Sequence, residues 1–507
     1  MMKLRKLLDK ELVIFFLLLL FCSFIRLPYT FTSMISADEH VYFILGDLIT
    51  KGELPHHNFF EIKPALVWYL YSIPQFLLSN NVIIIKIYGI LIITFSSFFL
   101  FKLLIKNFNF FIAINSSLFF IFASCFIGTE LPEGSFGIGL NVITQHFCNL
   151  FIILSLYFLF NDKNYLNIFF TALFFSLAVF TRYNYILCFP IFLAYFLSNK
   201  NTKSIFLSLI VGFITFLIIH ISYLFSIDRL NDLINYFNFL KIYGNTNFKY
   251  LNDVLLKFSY FILSPLFYFN INNPRFFLSL FIWIVGFVGI IFFILNKKND
   301  KFIYYFFLFF LIIALSLIAG QVAEHYLLSL APFICFFSSF IINKILKSNF
   351  KYTILIILFL SSALAVRTEY IWLIGRIYKQ QPLMVGQEYE VYNFMLKNKI
   401  NWKNSFYINY QILYFLTNEK PIHKLIFPTQ YNEWGKIMYG YNKISAIYQD
   451  IFNKKPNLVL YDTRQWSIYA NPEINDLIQK NLNQNYKEIY RTNNLILYQS
   501  CKNCIKQ

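Results

Sequence analysis

The sequence predicts an α-helical polytopic membrane protein, with about eleven to thirteen transmembrane helices and a small C-terminal α/β domain. Three observations carry this: the composition, the recurrence of long apolar runs, and a change of character after Tyr370. Of 507 residues, 58% are hydrophobic and only 13% charged, against about 25% charged in soluble domains. A soluble globular enzyme and a disordered chain are both excluded. The 66 Phe and 36 Tyr make the runs bulky, with few Gly or Ala to let helices approach closely.

A bilayer core needs about 20 apolar residues per helix. Runs of that order lie near 11–28, 82–101, 109–128, 141–160, 165–182, 183–198, 204–225, 276–296, 303–320, 326–346 and 352–372. Two more, near 64–79 and 254–270, are interrupted by Pro74 and Pro265 and either cross or lie in the outer interface. Basic residues favour cytoplasmic loops. If those two runs do not cross, Lys102, Lys106, Lys163, Lys200, Lys203, Lys297, Lys298, Lys301, Lys344, Lys347 and Lys351 all share a face with the N-terminus. The eleven-span reading therefore satisfies every short loop, whereas counting both extra runs puts the loops from Lys102 to Lys203 outside. Either number is odd, so the C-terminus is expected outside.

The opening MMKLRKLLDK places Lys3, Arg5, Lys6 and Lys10 before an apolar run from Leu12 to Leu27, with no small-residue cleavage site after it. That is the pattern of an uncleaved first span with a cytoplasmic N-terminus. The formal charge of +18 comes from short basic clusters between apolar runs, a loop bias rather than a nucleic-acid surface. Among seven cysteines, Cys125, Cys148, Cys188 and Cys335 lie inside apolar runs as small hydrophobes. Cys501 and Cys504 form a lone CxxC that can pair or bind metal, and without a second CxxC the zinc reading is weak.

Beyond Tyr370 about 130 residues turn polar. A helix-like EYEVYNFMLKNK, short runs at SFYIN (405–409) and NLVLYD (457–462), and two strand-like stretches about Asn493-Asn494 predict a small α/β domain ending in a hairpin. The expected organisation is a membrane domain over 1–376, with an outer loop at 29–63, and a soluble extracytoplasmic domain over 377–507.

The outer loop SADEHVYFILGDLITKGELPHHNFFEIKP concentrates Asp38, Glu39, Asp47, Glu53, His56, His57 and Glu61. Val41, Ile44, Leu45 and Leu48 fall on one helical face, with His40, Asp47 and Lys51 opposite, which predicts an amphipathic helix on the membrane surface. Asp38 then sits at its N-terminus, where an N-cap and a functional carboxylate are alternative readings. A second carboxylate, Glu61, is followed by Lys63-Pro64 where the chain re-enters the bilayer, and ionisable residues at that depth are expensive and usually functional.

ADEHVYFILGDLITKGELP and FFEIKPALVWYL resemble the first outer loop of polytopic glycosyltransferases of the GT-C class. The resemblance is closest to the bacterial branch related to protein O-mannosyltransferases and to the lipid A aminoarabinose transferase. That family carries an acidic pair near the end of the first span, then a Glu-Lys-Pro-like element, here Glu61-Ile62-Lys63-Pro64 with one inserted residue. FTRYNYILCFP, with Thr181-Arg182-Tyr183, is similar to its mid-chain motif, and AEHYLLSLAPF (323–333) to a later span. Where relatives often carry a second acidic residue, GLNVITQHF offers Gln145, leaving Glu130 and Glu133 as substitutes.

The resemblance implies an integral inner or plasma membrane protein of a bacterium. It also implies inverting transfer of a sugar from a polyprenyl-phosphate carrier to a lipid, glycan or protein acceptor on the outer face, with no nucleic acid involved. Such a transfer needs a base for the acceptor proton and cations for the departing phosphate. Asp38, beside Glu39, suits the first role. For the second, Arg182 offers a planar fork for phosphate oxygens, with Lys63, Tyr183, His325 and Tyr326 beside it. Snorkelling is the alternative for Arg182, lipid-headgroup anchoring for Lys63, and helix-end anchoring for His325 with Tyr326. Glu61 can position the acceptor or ligate a divalent metal with His56 or His57. No cofactor is otherwise required.

Two other classes fit the residues less well. A transporter or flippase of lipid-linked sugars would place its polar groups near the bilayer midplane, whereas these acidic residues gather at one face. An O-antigen polymerase or ligase relies on a large late outer loop rather than an acidic first one.

Overall fold

In the computed structural model the chain divides into two compact units. Described are residues 2–31, 37–78, 81–126, 142–161, 164–199, 202–245, 274–296, 300–318, 324–346, 351–426, 444–464 and 472–501. The first unit comprises Met1–Thr30, Lys86–Ile219 and Gly244–Gln381; the second comprises Phe31–Ile85, His220–Tyr243 and Pro382–Gln507.

The first unit is helical. Among the described residues five segments of the chain are long and apolar enough to cross a membrane: Val82–Ile105, Lys203–Phe225, Leu278–Asn296, Tyr326–Ile345 and Thr353–Tyr378. Shorter apolar helices include Phe110–Cys125, Thr144–Leu159, Tyr165–Thr181, Tyr183–Ser198 and Lys301–Leu317. Several expected spans are broken near one end. Run 183–198 is a 3-10 turn, Tyr183–Cys188, followed by helix Phe189–Ser198 with Pro190 in its first turn. Run 326–346 likewise opens as 3-10 from Glu324 to Leu330 before Ala331–Ile345, with Pro332 in its first turn. Proline is tolerated there because the first-turn N–H groups have no intrahelical acceptor.

Four contacts gather one end of this unit. Lys102 pairs with Glu11, Lys106 donates to Asn161 at 2.8 Å, Lys301 donates to Asn199 at 2.9 Å, and Asn109 donates to Asn343 at 3.5 Å. Phe302 packs there against Phe108 and Phe160. The Glu11 and Lys102 ends of helices Met2–Arg26 and Val82–Ile105 thus lie together, and the chain between them returns to the face it left. Helix Ala65–Leu78, with Pro74 inside it, has 14 residues and rises about 21 Å, short of the roughly 30 Å hydrocarbon core. Run 254–270 lies outside the described residues.

The expectation that few small residues would keep helices apart is corrected at one place. Along Pro274–Asn296, Gly286 and Gly289 face the backbone of Ala331–Ile345: a Cβ on Gly286 would stand 2.8 Å from the Ile334 carbonyl oxygen, and one on Gly289 would meet that of Phe337. Two glycines three residues apart suffice for close approach.

The second unit contains a four-stranded sheet in the order β1-β2-β4-β3, with β1 Ser405–Tyr407, β2 Leu458–Asp462, β3 Tyr486–Arg491 and β4 Leu495–Ser500. β1 and β2 are parallel, Phe406 opposite Val459; β4 is antiparallel to β2 and β3, with an irregularity between Glu488 and Tyr490. The hairpin about Asn493-Asn494 is present, Thr492 N–H donating to the Leu495 carbonyl at 2.8 Å. Helices Gln387–Lys397, Ile412–Leu416, Ile444–Asn453 and Pro472–Asn485 accompany the sheet. Cys501 is disulfide-bonded, whereas Cys22, Cys125, Cys148, Cys188 and Cys335 are free and buried.

Candidate functional site

Helix Ala37–Thr50 carries the acidic pair in its first turn. The helix is not a surface-lying amphipathic one, because residues 39–48 are buried on both faces. Its polar face meets the C-terminal part of the same unit: the His40 ring lies 6.0 Å from that of Tyr410, and Lys51 donates to the Glu419 carbonyl at 3.3 Å. Asp47 is fully buried and ion-paired with Lys51 at 2.6 Å. On the apolar side Gly46 packs directly on helix Ala65–Leu78, where a Cβ would fall 2.5 Å from the Tyr71 carbonyl oxygen, and Gln75 donates to the Phe43 carbonyl at 3.0 Å. Glu39 is fully buried. The Asp38 side chain lies outside the described residues.

The chain after this helix is clamped by residues 220–243 of the same unit. Tyr223 donates its hydroxyl to the Pro55 carbonyl, and Tyr236 donates to the Ile62 carbonyl at 2.9 Å. Between them His56, at φ 60°, stacks on Tyr236 with ring centroids 3.7 Å apart and 13° between planes; Trp68 closes the edge at 5.8 Å. Burial, with a smaller contribution from His220, lowers the His56 pKa to about 3, so the imidazole is neutral. Phe60 N–H donates to the Lys424 carbonyl at 2.8 Å, pinning the loop to the C-terminal part.

Glu61 is buried, and Lys63 stands 5.8 Å from the Tyr42 ring centroid. Of the expected metal set, His57 Nδ1 is engaged by Asp232 at 2.6 Å and His56 is stacked on Tyr236. Among the described residues no three His, Cys, Asp or Glu side chains form a metal-ligating group. These residues do not fit a shared ion.

In the first unit the counterpart is Arg182. Helix Tyr165–Thr181 ends because Arg182 takes an extended conformation, φ −150° and ψ 112°, its N–H still bonded to the Ala178 carbonyl. The guanidinium carbon lies 4.1 Å from the centroid of the Tyr326 ring. Around this contact Asn149 donates to the Leu328 carbonyl at 2.8 Å and Asn184 to that of Ser316 at 3.3 Å, so the two broken-helix segments, 182–188 and 324–330, are fixed to their neighbours. Arg182 and Tyr326 are therefore brought together, with Tyr183 adjoining in sequence. The His325 side chain lies outside the described residues, as do Glu130 and Glu133; Gln145 is buried and accepts from Thr144 at 3.2 Å.

Sequence reasoning passed over two buried cations. Arg26 ends the first helix and donates to the Cys125 sulfur at 3.7 Å, and Lys86 donates to the Tyr29 carbonyl at 3.0 Å. Both stand, like Arg182, at the ends of their helices opposite the Glu11–Lys102 pair. The signal was available: Lys86 interrupts VIIIKIYG, a charge inside a 24-residue apolar helix, where an ionisable group needs a reason.

Neither any protein-family model nor any curated protein matches the sequence. Solved structures do match in fold. ArnT from Cupriavidus metallidurans bound to undecaprenyl phosphate aligns with 97% of this chain and 98% of its own, at a TM-score of 0.58 and 10% identity; its apo state gives 0.59. The Archaeoglobus fulgidus oligosaccharyltransferase tethered to an acceptor peptide aligns with 97% of this chain and 74% of its own, at 0.51 and 12% identity. The resemblance read from the first outer loop is thereby borne out in the fold, which this helical membrane chain with its small C-terminal sheet shares with GT-C glycosyltransferases along nearly its whole length.

Proposed function

We propose that the protein is an inverting glycosyltransferase that moves a sugar from a polyprenyl-phosphate donor to a lipid, glycan or protein acceptor at the outer membrane face. The observation that carries this reading is the end-to-end fold match to a transferase captured with undecaprenyl phosphate. A disulfide at Cys501 supports an oxidising, extracytoplasmic location for the C-terminal part.

In the proposed step an acceptor oxygen attacks the anomeric carbon as the bond from that carbon to the phosphate oxygen breaks. The acceptor proton passes to the Asp38 carboxylate, and the polyprenyl phosphate departs with the bonding electron pair. Glu39 lies beside the base. Arg182 offers paired N–H donors to the leaving oxygens, with Lys86 and Tyr326 of the same unit as further cationic and hydroxyl partners. An apolar cavity of about 240 Å³ lined by Phe175, Phe180, Ile186, Phe189 and Phe213 adjoins Arg182 in sequence and suits an isoprenoid chain.

The test is a lipid and glycan profile of cells carrying the wild-type protein or Asp38→Asn at equal expression. A single polyprenyl-phosphate sugar should accumulate in the mutant, with a glycan product short of that residue. Identical profiles would remove the transferase assignment.

A further inference from the structure

The second unit holds a polar cleft that the proposed step leaves unused. It has a volume of about 780 Å³, and its described lining comprises Lys51, Asn404, Glu419, Lys420 and Lys454 together with Asn418 and the Pro421-Ile422 pair of the same loop. That is the size of a cleft for a ligand larger than one small molecule fragment. Its walls are held in place. Lys51 ties the end of helix Ala37–Thr50 to the Glu419 carbonyl, and Lys454 donates to the Ile422 carbonyl at 3.1 Å, so loop 418–422 is gripped from two sides. Asn404 donates to the carbonyls of Lys454 and Lys455 at 3.2 and 3.3 Å. Asn404 and Asn418 both adopt left-handed backbone, φ 55° and 57°, which asparagine tolerates and which turns the chain sharply at the rim.

The described lining carries three lysines against one carboxylate, Glu419. Lys51 is committed to buried Asp47 and is structural. Lys420 and Lys454 are half exposed, and their partners, Glu53 for the first and Asp450 at 3.8 Å for the second, form surface pairs that a ligand can exchange at small cost. Lys403, Lys424 and Lys455 adjoin the lining in sequence and add positive field. Among the described residues no aromatic ring lines the cleft, and its polar lining is made of ammonium, amide and carboxylate groups. Charge-assisted bonds to an oxyanion, with amide and ammonium donors to hydroxyls, are what it offers.

We propose that this cleft binds an acidic glycan segment of the acceptor, a hydroxyl-rich chain bearing carboxylates. The inference rests on the glycosyltransferase reading. Lys51 follows a helix of 14 residues whose first turn carries Asp38, and such a helix rises about 21 Å. An acceptor reaching both ends is therefore an extended chain, recognised well away from its reacting hydroxyl.

The experiment measures binding to the full-length protein in detergent, with no donor present, by titration calorimetry. Tetragalacturonate should bind saturably, weaken with rising salt, and lose about tenfold in affinity in Lys420→Ala/Lys454→Ala. The Lys420→Arg/Lys454→Arg pair, which keeps charge and the bond to loop 418–422, should retain binding and shows that folding is intact. Equal binding of maltotetraose, no saturable binding, or binding indifferent to the alanine pair would overturn the proposal. Inorganic phosphate competing as strongly as the oligosaccharide would assign the cleft to a bare anion and overturn the glycan part. Asp38→Asn should bind tetragalacturonate like the wild type, so failure of the cleft and failure of the catalytic reading are seen separately.

Discussion

Arg182 stands over the ring of Tyr326, its guanidinium carbon 4.1 Å from the centroid, and this contact joins two segments of the first unit that are 3-10 turns, Tyr183–Cys188 and Glu324–Leu330. The ring face fixes the direction of the guanidinium, through the attraction of a cation to the π quadrupole. A cation held in one orientation recognises phosphate better than one that snorkels freely.

Tyr326→Leu should therefore act through Arg182. The expected result is a donor KM raised about five- to thirtyfold with kcat little changed, since a cation–π contact away from bulk water is worth about 1 to 2 kcal/mol. Arg182→Lys should be no better than Arg182→Ala, because an ammonium lacks the planar fork. Turnover at varied donor concentration decides it, and unchanged donor dependence in both Arg182 variants would return the residue to lipid anchoring.

Gly46 gives a second prediction, on packing. Its Cα lies so close to helix Ala65–Leu78 that a methyl group would meet the Tyr71 carbonyl at 2.5 Å and the Gln75 side chain. A backbone atom cannot swing aside as a side chain does. Gly46→Ala should cost about 1 to 3 kcal/mol and displace the helix whose first turn carries Asp38 and Glu39. Thermal unfolding in detergent should show a lowered Tm, and the residual transferase activity should fall further than the loss of folded protein explains. Gly375, which has open space where a Cβ would point, supplies the control: Gly375→Ala should leave both unchanged.

Hydropathy located the helices because length and apolarity are local, and strands β1, β2 and the final hairpin were legible from short apolar runs bounded by Asn. Periodicity reports that a face of helix Ala37–Thr50 is polar, not what covers it; Glu419, which meets Lys51, lies 368 residues further along the chain. Arg182 was legible from its place at a helix end, but its partner Tyr326 is a matter of tertiary packing. Lys86 was overlooked for the opposite reason, as a single charge diluted in a strongly apolar helix.

Two buried histidines of the second unit set a pH dependence. His56 is driven down to about 3 by burial and by His220. His423 is driven down to about 4, first by burial and then by Lys454, with Asp450 acting in the other direction. In the unfolded chain both titrate near 6.5. Above that pH neither state binds the protons and stability is at its full value. Below it the unfolded state takes up as many as two protons that the folded state refuses, so stability falls as pH drops from about 6.5 towards 4, with a limiting slope of about 2.7 kcal/mol per pH unit. The upper part of this window lies above the range where ordinary carboxylates protonate, which separates the two effects. Thermal unfolding at pH 7.5 and pH 5.5 should show a clear drop in Tm for the wild type. In His56→Gln/His423→Gln the drop should shrink, because glutamine has no proton to take up, and a slope unaltered by the double substitution would mean that neither imidazole is held neutral by the fold.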